Sequence, residues 1–103
     1  MRLIWTEQGC KSLEFIMTCS QDFYSRTLLR KLNSDIKNAE HLLESNPQIG
    51  QLESSLSNRD FEYRHFVLCK PFMLIYFIYN NVIYIADIWD TRQSPSRLTE
   101  KIN

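Results

Sequence analysis

Glycine and proline are scarce, two and three in 103 residues, and no internal repeat or low-complexity tract interrupts the chain. Cysteine is scarce too. Cys10, Cys19 and Cys69 are odd in number and lack C-x-x-C spacing, so neither a disulfide framework nor a zinc knuckle is supported, and buried, reduced thiols are expected. With only His41 and His65 to join them, no metal site and no cofactor are expected. Neither sign of charge is in excess. Twelve basic and twelve acidic side chains give a net charge of +0, whereas a protein that grips nucleic-acid phosphates usually carries a basic surplus, because counterion release supplies much of its affinity. A membrane span is missing as well. The one apolar run long enough would bury Asn80, Asn81 and Asp87 in hydrocarbon, and it is rich in β-branched and aromatic residues that favour strands. The chain opens on Arg2-Leu3-Ile4-Trp5 without an apolar h-region, so no export is expected and a cytoplasmic location is.

What is present is enough for one compact domain over residues 1–103, since 44% of the residues are hydrophobic. Arg2 to Trp5 reads as a short strand, with Thr6 placed to cap the helix that follows. In that helix Cys10, Leu13, Ile16 and Met17 form an apolar stripe, and Lys11, Ser12 and Glu14 a surface face. A longer helix, capped by Ser20 or Asp22, should run to about Ser45 with Leu28, Leu32, Ile36, Ala39 and Leu43 along one side. Asn46-Pro47 ends it, and Gly50 lets the chain turn away. Gln51 to Arg59 reads as a surface loop. From Phe61 to Leu68, alternation puts Tyr63, His65 and Val67 on one face and Glu62, Arg64 and Phe66 on the other, with His65 expected on the face that meets the helices.

The most informative stretch is Phe72 to Pro95. Two β-rich runs meet at Asn80-Asn81, which suits a type I′ hairpin. Pairing across that turn would set Tyr79 against Val82, Phe77 against Tyr84, Ile75 against Ala86 and Met73 against Ile88. Both faces of the hairpin are apolar, so Phe77 and Tyr84 are natural anchors for a partner wherever the sheet is left open. Asp90 and Arg92 stand where the last strand runs out, a place where binding and catalytic groups concentrate. A short final turn is expected after Pro95. The fold class is therefore α+β, in the order β-α-α-β-β-β, with a two-helix hairpin on one face of a largely antiparallel sheet and a shallow groove on the other.

Ile4-Trp5-Thr6-Glu7, Asn46-Pro47-Gln48-Ile49-Gly50, Tyr63-Arg64, Leu74-Ile75-Tyr76 and Ile88-Trp89-Asp90-Thr91-Arg92, in this order and spacing, resemble the RelE/ParE toxins of bacterial type II toxin-antitoxin systems, the plasmid-stabilisation proteins. The resemblance covers almost the whole chain. It implies a helical hairpin on a curved antiparallel sheet and a growth inhibitor neutralised by a cognate antitoxin in a hetero-oligomer. The family includes poisons of DNA gyrase and ribosome-dependent mRNA endonucleases, and an inactive antitoxin-binding relative is a further alternative.

RNA cleavage by 2′-oxygen attack needs a base, a cation for the phosphorane charge and an acid for the leaving oxygen. By resemblance, Arg64 sits where the family's second-strand cation lies and Arg92 matches the arginine after the last strand, both as phosphate or target contacts. The other positions depart. Met73 replaces an arginine, Leu98 falls near the C-terminal tyrosine, and Asp90 stands where many relatives have histidine. Those departures favour a ParE-like, non-catalytic inhibitor. His65 could serve as a replacement base or sit as a hydrogen-bonded core residue. Asp90 and Arg92 could contact a target or simply pair with each other. Arg26, Arg30 and Lys37 share the polar side of the second helix, either solvated or steering an acidic antitoxin segment.

Overall fold

The computed structural model describes residues 1–18, 23–56 and 60–92. The expected caps at Ser20 and Asp22, the thiol of Cys19, Leu98 and the turn after Pro95 lie outside the described residues. Strand β1 (Arg2–Trp5) leads into helix α1 (Glu7–Thr18) and helix α2 (Arg26–Ser45). Then come the two-residue strand β2 (Gln51–Leu52), a 3-10 turn (Ser54–Leu56), and strands β3 (Arg64–Val67), β4 (Phe72–Tyr79) and β5 (Val82–Asp90). The strands form one sheet in the order β1-β5-β4-β3-β2. All neighbours are antiparallel except β1, which runs parallel to β5. The α+β class read from the sequence holds, with both helices on one face.

Local chemistry explains how each helix is seated. Thr6 caps α1 as expected, its hydroxyl accepting from the Gly9 amide at 3.0 Å. Of the expected stripe, Ile16 is buried and Leu13 and Met17 pack against the core, but Cys10 is exposed and Gly9 and Ser12 are buried in its stead. Small residues make the difference: a Cβ on Gly9 would stand 2.5 Å from the Ile85 carbonyl oxygen, and Ser12 Oγ donates to the Ile88 carbonyl at 2.8 Å. The helix therefore lies almost on the β5 backbone, and Ser12, expected at the surface, is inside. Ser25 caps α2, accepting from the Leu28 amide at 3.1 Å. Leu32, Ile36, Ala39 and Leu43 are buried against the sheet as the period required.

Asn80 and Asn81 have φ of 50° and 61°, the left-handed pair that a type I′ turn demands. Tyr79 faces Val82 and Phe77 faces Tyr84 as expected, but Ile75 faces Asp87 and Met73 faces Trp89. A bulge at Ala86 adds one residue to β5 and shifts every pair beyond it, which no alternation pattern announces. The stretch after Gly50 is not only loop: Gln51 and Leu52 pair with His65 and Arg64 and extend the sheet by one strand.

The helix side of the sheet carries Leu74, Tyr76, Ile83, Ile85 and Ile88, packed under α1 and α2. The opposite side carries Ile75, Ala86 and Trp89 with Leu56 and Tyr63. Arg64 pairs with Tyr76 and Phe66 with Leu74, so these two residues point toward the helices, and His65, paired with Ile75, points away. This reverses the facing expected for β3. The physical reason is that Arg64 is long enough to carry its charge past the core edge to a backbone carbonyl.

Candidate functional site

The last strand delivers Asp90 to the helix side, opposite Phe72, at the end of the sheet where α2 begins. Tyr24, immediately before the Ser25 cap, lies against Phe72 with ring centroids 5.0 Å apart and donates its hydroxyl to Asp90 Oδ2 at 2.5 Å. Arg92 returns to the same carboxylate three times: its amide reaches Oδ1 at 2.9 Å, Nε reaches Oδ1 at 3.1 Å and Nη2 reaches Oδ2 at 2.7 Å. Its guanidinium carbon sits 5.6 Å from the centre of the Tyr24 ring, within cation–π range. Burial alone would push the Asp90 carboxyl upward. The hydrogen bonds from Arg92 and Tyr24, with the guanidinium charge, outweigh it and hold the pKa at about 2. The same contacts push Arg92 further above its ordinary value, and burial followed by the Asp90 carboxylate raises the Tyr24 phenol. The side chain of Arg92 nevertheless remains 64% exposed, and its Nη1 makes no bond among the described residues.

Tyr24 is also one wall of a groove of about 730 Å³ between the end of α1 and the start of α2, lined by Leu13, Met17, Arg26, Leu29 and Arg30 among others. Tyr24 and Leu29 occupy the flanking positions of a hydrophobic staple around the Ser25 cap. Arg26 and Arg30 are one helical turn apart and exposed, and neither enters an ion pair among the described residues. Lys37 lies two turns further along the same side of α2, beyond the groove.

Arg64 sits elsewhere. Its Nη1 donates to the Gly50 carbonyl at 2.8 Å and its Nη2 reaches Glu62 at 3.4 Å. Tyr76 completes the strap, donating to the Pro47 carbonyl at 2.7 Å and accepting from the Gly50 amide at 2.9 Å. Gly50 is needed for closeness rather than for an unusual φ: a Cβ there would stand 2.7 Å from both the His65 carbonyl oxygen and the Tyr76 hydroxyl. Arg64 lies opposite Tyr76 and Asp90 opposite Phe72, four residues apart on β4, or roughly 13 Å at about 3.3 Å per residue. Arg64 and Arg92 are thus not brought into one site. His65, on the other face, holds Nδ1 3.0 Å from Glu53 Oε2, without hydrogen-bond geometry.

Phe77 and Tyr84 meet on the helix-free face. Phe77 stacks with Phe61 at 4.4 Å and 18° and with Tyr84 at 5.1 Å and 15°, while Tyr63 and Tyr79 stand edge-on to the stack. These ring faces cover one another, and Tyr79 is 52% exposed beside them.

The expected residues other than Lys37 therefore fall into three places: Asp90 and Arg92 with Arg26 and Arg30 about Tyr24, Arg64 at the loop after α2 with His65 on the reverse side of its strand, and Phe77 with Tyr84 on the opposite face. Tyr24 escaped sequence reasoning. Its signal was an aromatic residue directly before a Ser cap, legible only once Ser25 is known to start α2. Among the described residues no group of three or more His, Cys, Asp or Glu could hold a metal ion, and no helix is long and apolar enough to cross a membrane.

No protein-family profile matches the chain, and no curated protein does. Among solved structures it is similar to a chain of the chromosomal ParDE TA system from P. aeruginosa, with a TM-score of 0.63 and 21% identity over 85% of this chain and 92% of that one. At this identity the likeness is one of fold, and the strand, helical hairpin and antiparallel hairpin described above make up a ParE-like fold.

Proposed function

We propose that the chain is the toxin of a toxin-antitoxin system, a growth inhibitor held in check by a cognate antitoxin in a hetero-oligomer. The observation that carries this reading is the likeness of fold to a ParDE-system chain across 85% of this one. It acts by binding a macromolecular target, DNA gyrase, and does not cleave RNA. That choice rests on the separation of the candidate cations. A phosphoryl-transfer site needs its cation, base and acid around one phosphate, and here Arg64 is bound to a backbone carbonyl while Arg92 stands at another end of the sheet. Arg92 with Asp90 is the target-contacting corner, and Phe77 and Tyr84 are partner anchors on the helix-free face.

Expression without antitoxin tests the proposal when growth, supercoiling by purified gyrase and transcript 5′ ends are followed together. Arrested growth with inhibited supercoiling and intact messages is the expected result. Messages cut within translated codons would replace the gyrase reading with an mRNA endonuclease. Unimpaired growth would leave an inactive antitoxin-binding relative.

A further inference from the structure

We infer that Tyr24 is the positioning residue for Arg92: its hydroxyl fixes the plane of the Asp90 carboxylate, and that plane fixes the direction in which the guanidinium faces the target. This deepens the proposed target-contacting corner and rests on that reading for its functional half, while the positioning itself stands on geometry. An exposed arginine beside a carboxylate ordinarily samples several rotamers, because a solvated ion pair gains little and holding two side chains still costs entropy. Asp90 and Arg92 are two residues apart, so their pair is local. The backbone between them is tied down, since both the amide and the hydroxyl of Thr91 donate to the Pro71 carbonyl, at 2.8 and 2.9 Å. What remains to be set is the torsion of the carboxylate, which in aspartate is broad and roughly two-fold.

Two donors held by other parts of the structure set it. The Arg92 amide reaches Oδ1 at 2.9 Å, and the Tyr24 hydroxyl, coming from 66 residues away, reaches Oδ2 at 2.5 Å. Tyr24 is itself anchored, its ring tilted against the fully buried Phe72 with centroids 5.0 Å apart. The guanidinium then docks on the carboxylate through Nε and Nη2, at 3.1 and 2.7 Å, with its carbon 5.6 Å from the centre of the Tyr24 ring. That fork uses the Nε–H and one Nη2–H. The second Nη2–H and the Nη1 donors form another edge of the same rigid plane, so an acceptor on the target meets them in one orientation. Phe72, Tyr24, Asp90 and Arg92 thus form a path from the core to an exposed donor plane.

The test compares the full chain with Tyr24→Phe, which keeps the ring and deletes only the hydroxyl, both confirmed folded by circular dichroism. The Arg92 Nε–H should be as ordered as rigid backbone in the wild type, with an NMR order parameter of about 0.85, and should fall below about 0.6 in the variant. Burial raises the Asp90 carboxyl and the hydrogen bonds from Arg92 and Tyr24 hold it down, so without the phenol it should titrate higher. Tyr24→Phe should need at least about tenfold more protein to halve supercoiling by purified gyrase. Arg92→Lys, which keeps the charge but cannot fork, should lose at least as much. In an Arg92→Ala background Tyr24→Phe should add no further loss, because no guanidinium is left to position.

An Arg92 order parameter indifferent to Tyr24→Phe would overturn the inference. So would full inhibition by Tyr24→Phe where Arg92→Ala is inactive, or additive losses in the double variant, the mark of a tyrosine that only supports the fold. Failure of the target reading looks different. If Arg92→Ala inhibits gyrase as well as the wild type does, the functional half falls with that reading, and the Nε–H order parameter still decides whether Tyr24 holds Arg92.

Discussion

Arg64 and Arg92 stand on the same side of one sheet, and each guanidinium is held by oxygen, yet they are held for different ends. Arg64 is mostly buried and its main partner is the Gly50 carbonyl, so its charge ties the turn after α2 to β3. Tyr76 binds the same turn from β4 with both its donor and its acceptor capacity. Arg92 is mostly exposed and its partner is a carboxylate, Asp90, which Tyr24 also engages. Removing Arg64 leaves a buried carbonyl short of a donor. Removing the Arg92 side chain leaves the buried Asp90 carboxylate with the Tyr24 hydroxyl and the residue-92 amide still donating to it. The first region is a brace, and the second is a fixed charge presented beside an open groove whose two other arginines have no ion-pair partner among the described residues. A cation near a strand end is therefore a functional lead only after its hydrogen bonds have been followed.

The contrast can be broken in four ways. Gly50→Ala should be the most damaging, because a methyl group there meets the His65 backbone, which cannot step aside; a loss of about 3 kcal/mol in urea unfolding is expected. An unchanged midpoint would mean that the turn is not braced at all.

Asp90→Asn comes next. The Asp90 carboxyl falls from an ordinary 3.8 to about 2 in the folded protein, so its ionised form stabilises the fold above the unfolded value, and that contribution is lost as pH falls through the folded one. Wild type and variant should therefore differ by about 2 kcal/mol at neutral pH and converge between about pH 4 and pH 2. A difference that persists at the acid end would remove the ionic account of this corner.

Arg64→Ala should cost about 1.5 kcal/mol, in line with one charged hydrogen bond to the buried Gly50 carbonyl, and under the proposed function toxicity should fall only as far as stability does. A loss of toxicity at full stability would move Arg64 from the brace into the target site. Arg26→Ala and Lys37→Ala should be the mildest, each within about 0.5 kcal/mol by thermal unfolding, since both side chains are exposed. A larger loss in either would show that the polar side of α2 is part of the fold rather than a free surface.

Periodicity made the helices, the hairpin and the apolar faces of β4 and β5 legible, because those signals are local. Rotation of α1 was not local. Cys10 and Ser12 exchanged their expected places because Gly9 and Ser12 permit close approach to β5, and closeness to a strand some seventy residues away leaves no periodic trace. The bulge at Ala86 was equally silent, since one unpaired residue alters the register without altering composition. At the site, Asp90 and Arg92 were readable as charges where a strand runs out. Tyr24 was not, because its partners come from the other end of the chain.

By itself the sequence determined the α+β class, its two helices, the Asn80-Asn81 turn, and the charge neutrality that argues against a phosphate-gripping surface. These depend on residue type and spacing within a few turns. Only the tertiary structure decided which arginine braces the fold and which is presented, because a guanidinium's role is set by the oxygen it reaches, and both Gly50 and Asp90 are reached through the packing of distant segments.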